Sequence, residues 1–242
     1  MPKQYAMIID LNRCVGCHAC AIACRAEWDV PVPNQRNWVK RLGPAQTSKG
    51  LSYTYYPGLC NHCKDPACVK VCPADVRSMT FTDKETGKTV TQEVAATWKD
   101  PFTGAVLIDK NHCIGCGMCV EACPYGARYL NEKLEKADKC TFCVERLEKG
   151  LEPACVQTCL AKARIFGDMN DSNSEVAQYI KKGAKGITSA AVNIGPNVYY
   201  YGKERDIELL FNKCAPQKMP QASVGERRNL LARMIKGVLP IA

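Results

Sequence analysis

The sequence predicts an α+β protein made twice from one small unit, and three observations carry that reading. Two pairs of stretches repeat: AMIIDLNRCVGC (Ala6 to Cys17) aligns with AVLIDKNHCIGC (Ala105 to Cys116), and PACVKVCPADVR (Pro66 to Arg77) aligns with PACVQTCLAKAR (Pro153 to Arg164). The 17 cysteines among 242 residues fall into tight groups with one outlier. Short apolar runs, too brief for helices, flank those groups.

Taken in order, residues 5–10 and 105–109 read as strands entering the first and third groups. Residues 77–82 and 163–166 read as strands leaving the second and fourth. The residues between the third and fourth cysteines of a group, such as VEA before Cys123, suit one helical turn. DKETGK, Asp83 to Lys88, is a turn with glycine. Three stretches lie outside this frame: Arg25 to about Pro57 with Trp28 and Trp38, Asp83 to about Gly104 with Trp98, and the tail from Gly167 to Ala242. Two readings stand for the tryptophans: anchors of a partner surface, or covers that keep water from whatever the cysteines hold. The tail ends in RRNLLARMIKGVLPIA, where Leu230, Leu231, Met234 and Ile235 stand at near-helical spacing. That amphipathic stretch is expected to pack on protein, with a membrane surface as the alternative.

Composition sets outer bounds. Hydrophobic content of 46% and charged content of 24% are ordinary for a globular chain long enough to bury a core. No apolar run approaches the ~20 residues a membrane span needs. The start, MPKQYAMIID, lacks a basic segment followed by an apolar one, so no signal peptide is read there. The formal charge of +9 comes without the basic–aromatic interleaving of a nucleic-acid surface, so no nucleic-acid partner is expected.

The cysteine groups decide the chemistry. They are Cys14, Cys17, Cys20, Cys24; Cys60, Cys63, Cys68, Cys72; Cys113, Cys116, Cys119, Cys123; and Cys140, Cys143, Cys155, Cys159, with Cys214 alone. A disulfide scaffold is a short secreted chain with paired cysteines, and the count here is odd. Structural zinc joins two CxxC-like pairs, whereas CxxCxxC offers three closely spaced sulfurs. A [4Fe–4S] cubane uses that arrangement: three sulfurs reach three iron corners, and a remote cysteine, often one followed by proline, takes the fourth. The first and third groups match CxxCxxCxxxC, and the other two each stretch one spacer. Sixteen cysteines thus predict four [4Fe–4S] clusters in a ferredoxin-like α+β build made twice. At a net charge of about −2 each, four clusters would bring the loaded chain near +1. His18, His62 and His112 sit in or beside complete sulfur sets, so they are expected to donate hydrogen bonds or lie at the surface rather than ligate. Cys214 is expected to be a buried, inert thiol. The repeat alone would pair group one with two and three with four. Pro73 and Pro124 follow the last cysteines of groups two and three only, a small clue to a nested pairing instead. No nucleophile–base pair, nucleotide loop or open metal position gives the chain chemistry of its own, so it is read as a non-catalytic protein.

The stretches CVGCHAC, LCNHCKDPACVKVCP, CIGCGMCVEACPYGARYL and KCTFCVERLEKGLEPACVQTCLAKARIFGD resemble the electron-transfer beta subunits of the dimethyl-sulfoxide-reductase family of molybdenum enzymes. The resemblance covers residues 1 to about 168 and is strongest to the polysulfide, thiosulfate and arsenate reductase beta subunits. It implies an outer ferredoxin-like lobe from residues 1–57 and 131–166, an inner lobe from 58–130 and a C-terminal extension at 167–242, each lobe holding two clusters. It further implies nested ligation: Cys14, Cys17, Cys20 and Cys159; Cys140, Cys143, Cys155 and Cys24; Cys60, Cys63, Cys68 and Cys123; Cys113, Cys116, Cys119 and Cys72. Nitrate-reductase-type relatives carry tryptophan where this chain has Cys116, so four full cubanes are expected. Leu160 stands where proline often follows the last cysteine, and the tail lacks the membrane helix common in formate-dehydrogenase beta subunits.

The function so implied is single-electron relay between a large catalytic subunit holding a bis-pterin molybdenum or tungsten cofactor and a quinone-reactive membrane subunit or a cytochrome. Alternatives are a subunit of a hydrogenase or formate–hydrogen lyase complex, or a free polyferredoxin. The expected location is periplasmic, by co-export with a signal-bearing partner; the cytoplasm is the alternative.

Overall fold

A computed structural model of the chain describes residues 3–220. The amphipathic stretch around Leu230 and Ile235 lies outside these residues.

In chain order the elements are β1 (Tyr5–Asp10), α1 (Ala19–Trp28), β2 (Asn37–Thr47), β3 (Gly50–Leu59), α2 (Ala67–Lys70), β4 (Arg77–Thr82), β5 (Thr89–Val94), β6 (Thr97–Lys99), β7 (Val106–Ile108) and α3 (Met118–Glu121). There follow β8 (Tyr129–Asn131), β9 (Lys136–Asp138), α4 (Val144–Leu147), α5 (Ala154–Gln157), β10 (Arg164–Asp168), α6 (Glu175–Lys181), β11 (Lys185–Gly186), β12 (Val198–Tyr201) and α7 (Glu204–Cys214). The protein is mixed helix and strand, and the expected strands appear as β1, β4, β7 and β10.

The organising sheet runs β10–β1–β12–β11. Every residue of β1 after Tyr5 is buried, as a continuous apolar run at the centre of a sheet should be. On one side β1 pairs antiparallel with β10, Ile8 opposite Ile165. On the other it pairs parallel with β12, Ile8 opposite Tyr199. The start of the first cysteine group is thereby held beside the exit of the fourth. Helix contacts repeat this pattern, since α1 packs on α5 and α2 on α3.

The stretches outside the cysteine frame form structure of their own. Residues 37–59 make a long hairpin, β2 with β3, with a register shift between Leu42 and Ala45. Residues 83–104 include β5, which pairs with β4, and β6, which pairs with β7. The glycine turn closes the first of these hairpins: Gly87 at φ 70° donates its amide to the Asp83 carbonyl at 2.8 Å. The described part of the tail, residues 167–220, is woven in rather than appended. Its β12 lies next to β1, and α7 packs on β2 and β3, where Ser52 Oγ donates to Asp206 at 2.7 Å. Ser174 caps α6 by accepting from the Ala177 amide.

Candidate iron–sulfur sites

Each cysteine motif turns the same way. In each group the residue before the second cysteine is left-handed: Gly16 at φ 69°, His62 at 43°, Gly115 at 72° and Phe142 at 59°. Glycine adopts this without strain, and at two of the sites nothing larger fits: a Cβ at Gly16 would strike the Tyr55 ring, and one at Gly115 the Glu135 carbonyl. The other two sites carry full side chains in that conformation, which requires support from the surroundings. They support one another, for the His62 and Phe142 rings stack at 3.6 Å between centroids and 13° between planes.

The turns and helix starts close around four cavities. Cys14, Cys17, Cys20 and Cys159 line the first. Cys24, Cys140, Cys143 and Cys155 line the second; Cys60, Cys63, Cys68 and Cys123 the third; and Cys72, Cys113, Cys116 and Cys119 the fourth. Cys24 reaches the second cavity because Cys20 and Cys24 lie one turn apart on the buried face of α1, which packs on α5 beside Cys155. Cys214 lines none of the four and is half-buried at the end of α7, somewhat more open than the buried thiol expected.

The cavities differ in depth. All four cysteines of the second are buried, whereas the first includes the exposed Cys17 and the fourth the half-buried Cys72 and Cys116.

Electrostatics make these cavities unfavourable for bare thiolates. Burial, then the neighbouring Cys155 and Cys143, pushes the Cys24 thiol up to about 12. Burial likewise pushes Cys68 and Cys155 up to about 11. Backbone amides work in the other direction: Ala127 donates to Cys123 Sγ at 3.4 Å, Phe142 to Cys140 Sγ at 3.3 Å and Ala163 to Cys159 Sγ at 3.2 Å. Nε and Nη1 of Arg128, on the walls of the third and fourth cavities, are buried without a partner. Among the described residues no three His, Cys, Asp or Glu side chains converge on a position for a single metal ion. Four sulfurs set around a void, with inward amide and guanidinium donors, fit a polynuclear anionic group.

The tryptophans are half-buried rather than exposed. Trp28 lines the second cavity, its ring 5.0 Å from the Arg36 guanidinium. Arg36 in turn forms a buried ion pair with Asp138 at 2.9 Å. Trp38 lies against Gly58, where a Cβ would strike its ring, and edge-on to Tyr56 at 6.1 Å. Trp98 faces Phe81 at 6.1 Å. At Trp28 the geometry is that of a cover. The histidines divide: His18 lines the first cavity, His112 Nε2 is 2.6 Å from the Asp75 carbonyl, and His62 is fully buried, its Nδ1 accepting from the Val106 amide at 3.0 Å. Burial, then Lys139 and Arg128, holds the His62 imidazole well below its usual range.

Sequence reasoning passed over Arg128, Lys139 and Arg164, all buried among the cysteines. The two arginines share a position, five residues after the last cysteine of their groups in CPYGAR and CLAKAR, but Arg77 in CPADVR shares it too and pairs with Asp109, so spacing alone does not single them out.

The fold and the cavities define a ferredoxin-type iron–sulfur protein. Residues 51–169 match the 4Fe-4S dicluster domain and residues 11–27 the 4Fe-4S binding domain. The sequence is 39% identical over 202 residues to a tetrathionate reductase subunit of Salmonella typhimurium, covering 82% of this chain and 72% of that protein. It is 39% identical to the thiosulfate reductase electron transfer subunit of Salmonella typhi, covering 71% and 80%. A polysulfide reductase subunit of Wolinella succinogenes is 38% identical, covering 73% and 82%. This protein belongs to their family, the non-catalytic iron–sulfur beta subunits of the dimethyl-sulfoxide-reductase class of molybdoenzymes.

Proposed function

We propose that each of the four cavities holds one [4Fe–4S] cluster through the four cysteines that line it, and that the chain relays single electrons through them. The observation that carries this reading is the four-by-four partition of sixteen cysteines, each cavity taking three sulfurs from one group and the fourth from a distant one. In this reading the outer lobe, from 1–57 and 131–166, holds the first and second clusters, and the inner lobe, 58–130, the third and fourth. The packing of α1 on α5 and of α2 on α3 supports that division. A bound cluster supplies a one-electron couple whose potential lies within ~−700 to +450 mV according to charge, hydrogen bonding and exposure. This chain's residues hold it, donate amides to its sulfurs and exclude water. The buried second cavity belongs to the interior of the relay, and the first, with its exposed Cys17, suits an end.

The partners proposed are a large catalytic subunit with a bis-pterin molybdenum or tungsten cofactor, and a quinone-reactive membrane subunit or cytochrome, in an anaerobic respiratory oxidoreductase. Among the described residues no helix is long and apolar enough to cross a membrane, so membrane attachment would come from such a partner. The periplasmic face, reached with the catalytic subunit, is the proposed location. Native anaerobic purification tests the assignment: the chain should co-elute with a large subunit carrying molybdenum or tungsten. Recovery of an iron-loaded monomer, or of a nickel–iron partner, would overturn it.

A further inference from the structure

Three basic side chains are almost completely enclosed: Lys139 at 1% exposure, Arg128 and Arg164 at 4% each. Enclosed cations are ordinarily matched by carboxylates, as Arg36 is by Asp138. Among the described residues none of these three forms an ion pair with a carboxylate. Their protein partners are neutral oxygens and sulfur. Arg128 donates to Thr97 Oγ1 at 3.0 Å and Arg164 to Asn37 Oδ1 at 2.8 Å. Lys139 donates to the carbonyl of Cys140 at 2.7 Å and to that of Val106. A buried charge with such partners is costly unless an anion stands nearby.

Their placement is regular. Arg164 lines the first cavity, and its Nη1 lies 3.9 Å from Sγ of Cys155, a wall of the second. Lys139 bridges the carbonyl of Cys140, on the second cavity, and that of Val106, on the third. Arg128 lines the third and the fourth. Arg128 thus lines two cavities, Arg164 lines one and reaches a wall of the next, and Lys139 lies between residues that wall two, so the three together order all four into one line.

We infer that Arg164, Lys139 and Arg128 are shared counter-charges, one at each junction of the relay, each setting the reduction potentials of the two clusters it separates. The inference rests on the proposed occupancy of the cavities. Each electron passed to a site by the relay adds one negative charge there and removes one from the donor. A fixed cation between neighbours favours the reduced form of both, so it raises both potentials together and leaves the difference between those two nearly unchanged. None of the three is a ligand; they act as positioning and tuning residues.

The test is redox titration of the anaerobically purified complex, followed by electron paramagnetic resonance, with iron content measured on the same samples. Wild-type iron content reports on the occupancy itself, so failure there is separable from failure here. Lys139→Met should lower the potentials of the second and third clusters alone, each by at least tenfold in the one-electron equilibrium, ~59 mV. Arg164→Met should lower the first and second, and Arg128→Met the third and fourth. The charge-keeping variants Arg164→Lys, Arg128→Lys and Lys139→Arg should return both potentials toward wild type. Should a methionine variant lose iron, recovery of iron by its charge-keeping counterpart supports the charge role equally. Unchanged potentials, an equal shift of all four, or iron loss that the charge-keeping variants do not reverse would overturn the inference.

Discussion

The imidazole of His62 lies flat on the ring of Phe142, 3.6 Å between centroids, with both residues in left-handed backbone at the same step of their cysteine motifs. Phe142 is 1% exposed and His62 not at all, so the stack joins the second and fourth motifs through the middle of the molecule. Phe142→Ala leaves a cavity there and keeps the strained backbone without its support. It is expected to cost about 3–5 kcal/mol, read from anaerobic denaturant unfolding of the loaded chain. A loss below about 1 kcal/mol would mean the stack is incidental.

Asp138 gathers a second cross-link. It accepts from Arg36 at 2.9 Å, from Lys110 at 2.6 Å and from the Tyr129 hydroxyl at 2.7 Å. Asp138→Asn strands an enclosed guanidinium and should destabilise by roughly 3–5 kcal/mol. Replacing Arg36 by Met in the same chain should restore part of that loss, a non-additivity that a double-mutant cycle measures directly.

Trp28 covers the second cavity and faces Arg36. Trp28→Ala is expected to lower stability by about 2 kcal/mol and to speed bleaching of the visible absorbance in air, with assembly of the complex intact. Weakened assembly with unchanged bleaching would instead make Trp28 a docking residue.

Much of this architecture was legible in the sequence because its signals are local. CxxCxxC spacing, the glycine turn at Asp83 to Lys88 and the apolar run at residues 5–10 act over a few residues. What was not legible depends on partners far along the chain. Val198 to Tyr201 read as part of an extension, yet they form the strand parallel to β1. Trp28 carries no mark of its side until α1 is laid on α5. Nothing in the sequence marks Lys139 beside Cys140, and only the fold encloses it. The pairing of Cys24 with Cys140, Cys143 and Cys155 came from family resemblance and a proline clue, not from the repeat.

Two cysteine substitutions separate ligands from bystanders. Cys24→Ala should disturb the set formed by Cys140, Cys143 and Cys155, with loss of about one to four irons and the other three sets unaffected. Cys214→Ser, outside every cavity, should leave iron content and visible absorbance unchanged.

Iron and inorganic sulfide analysis of the anaerobically purified, fully loaded chain decides whether the four cavities hold four cubanes. About 16 irons and about 16 sulfides per chain are expected, with negligible zinc. A reproducible plateau near about 12 irons, or stoichiometric zinc, would contradict it.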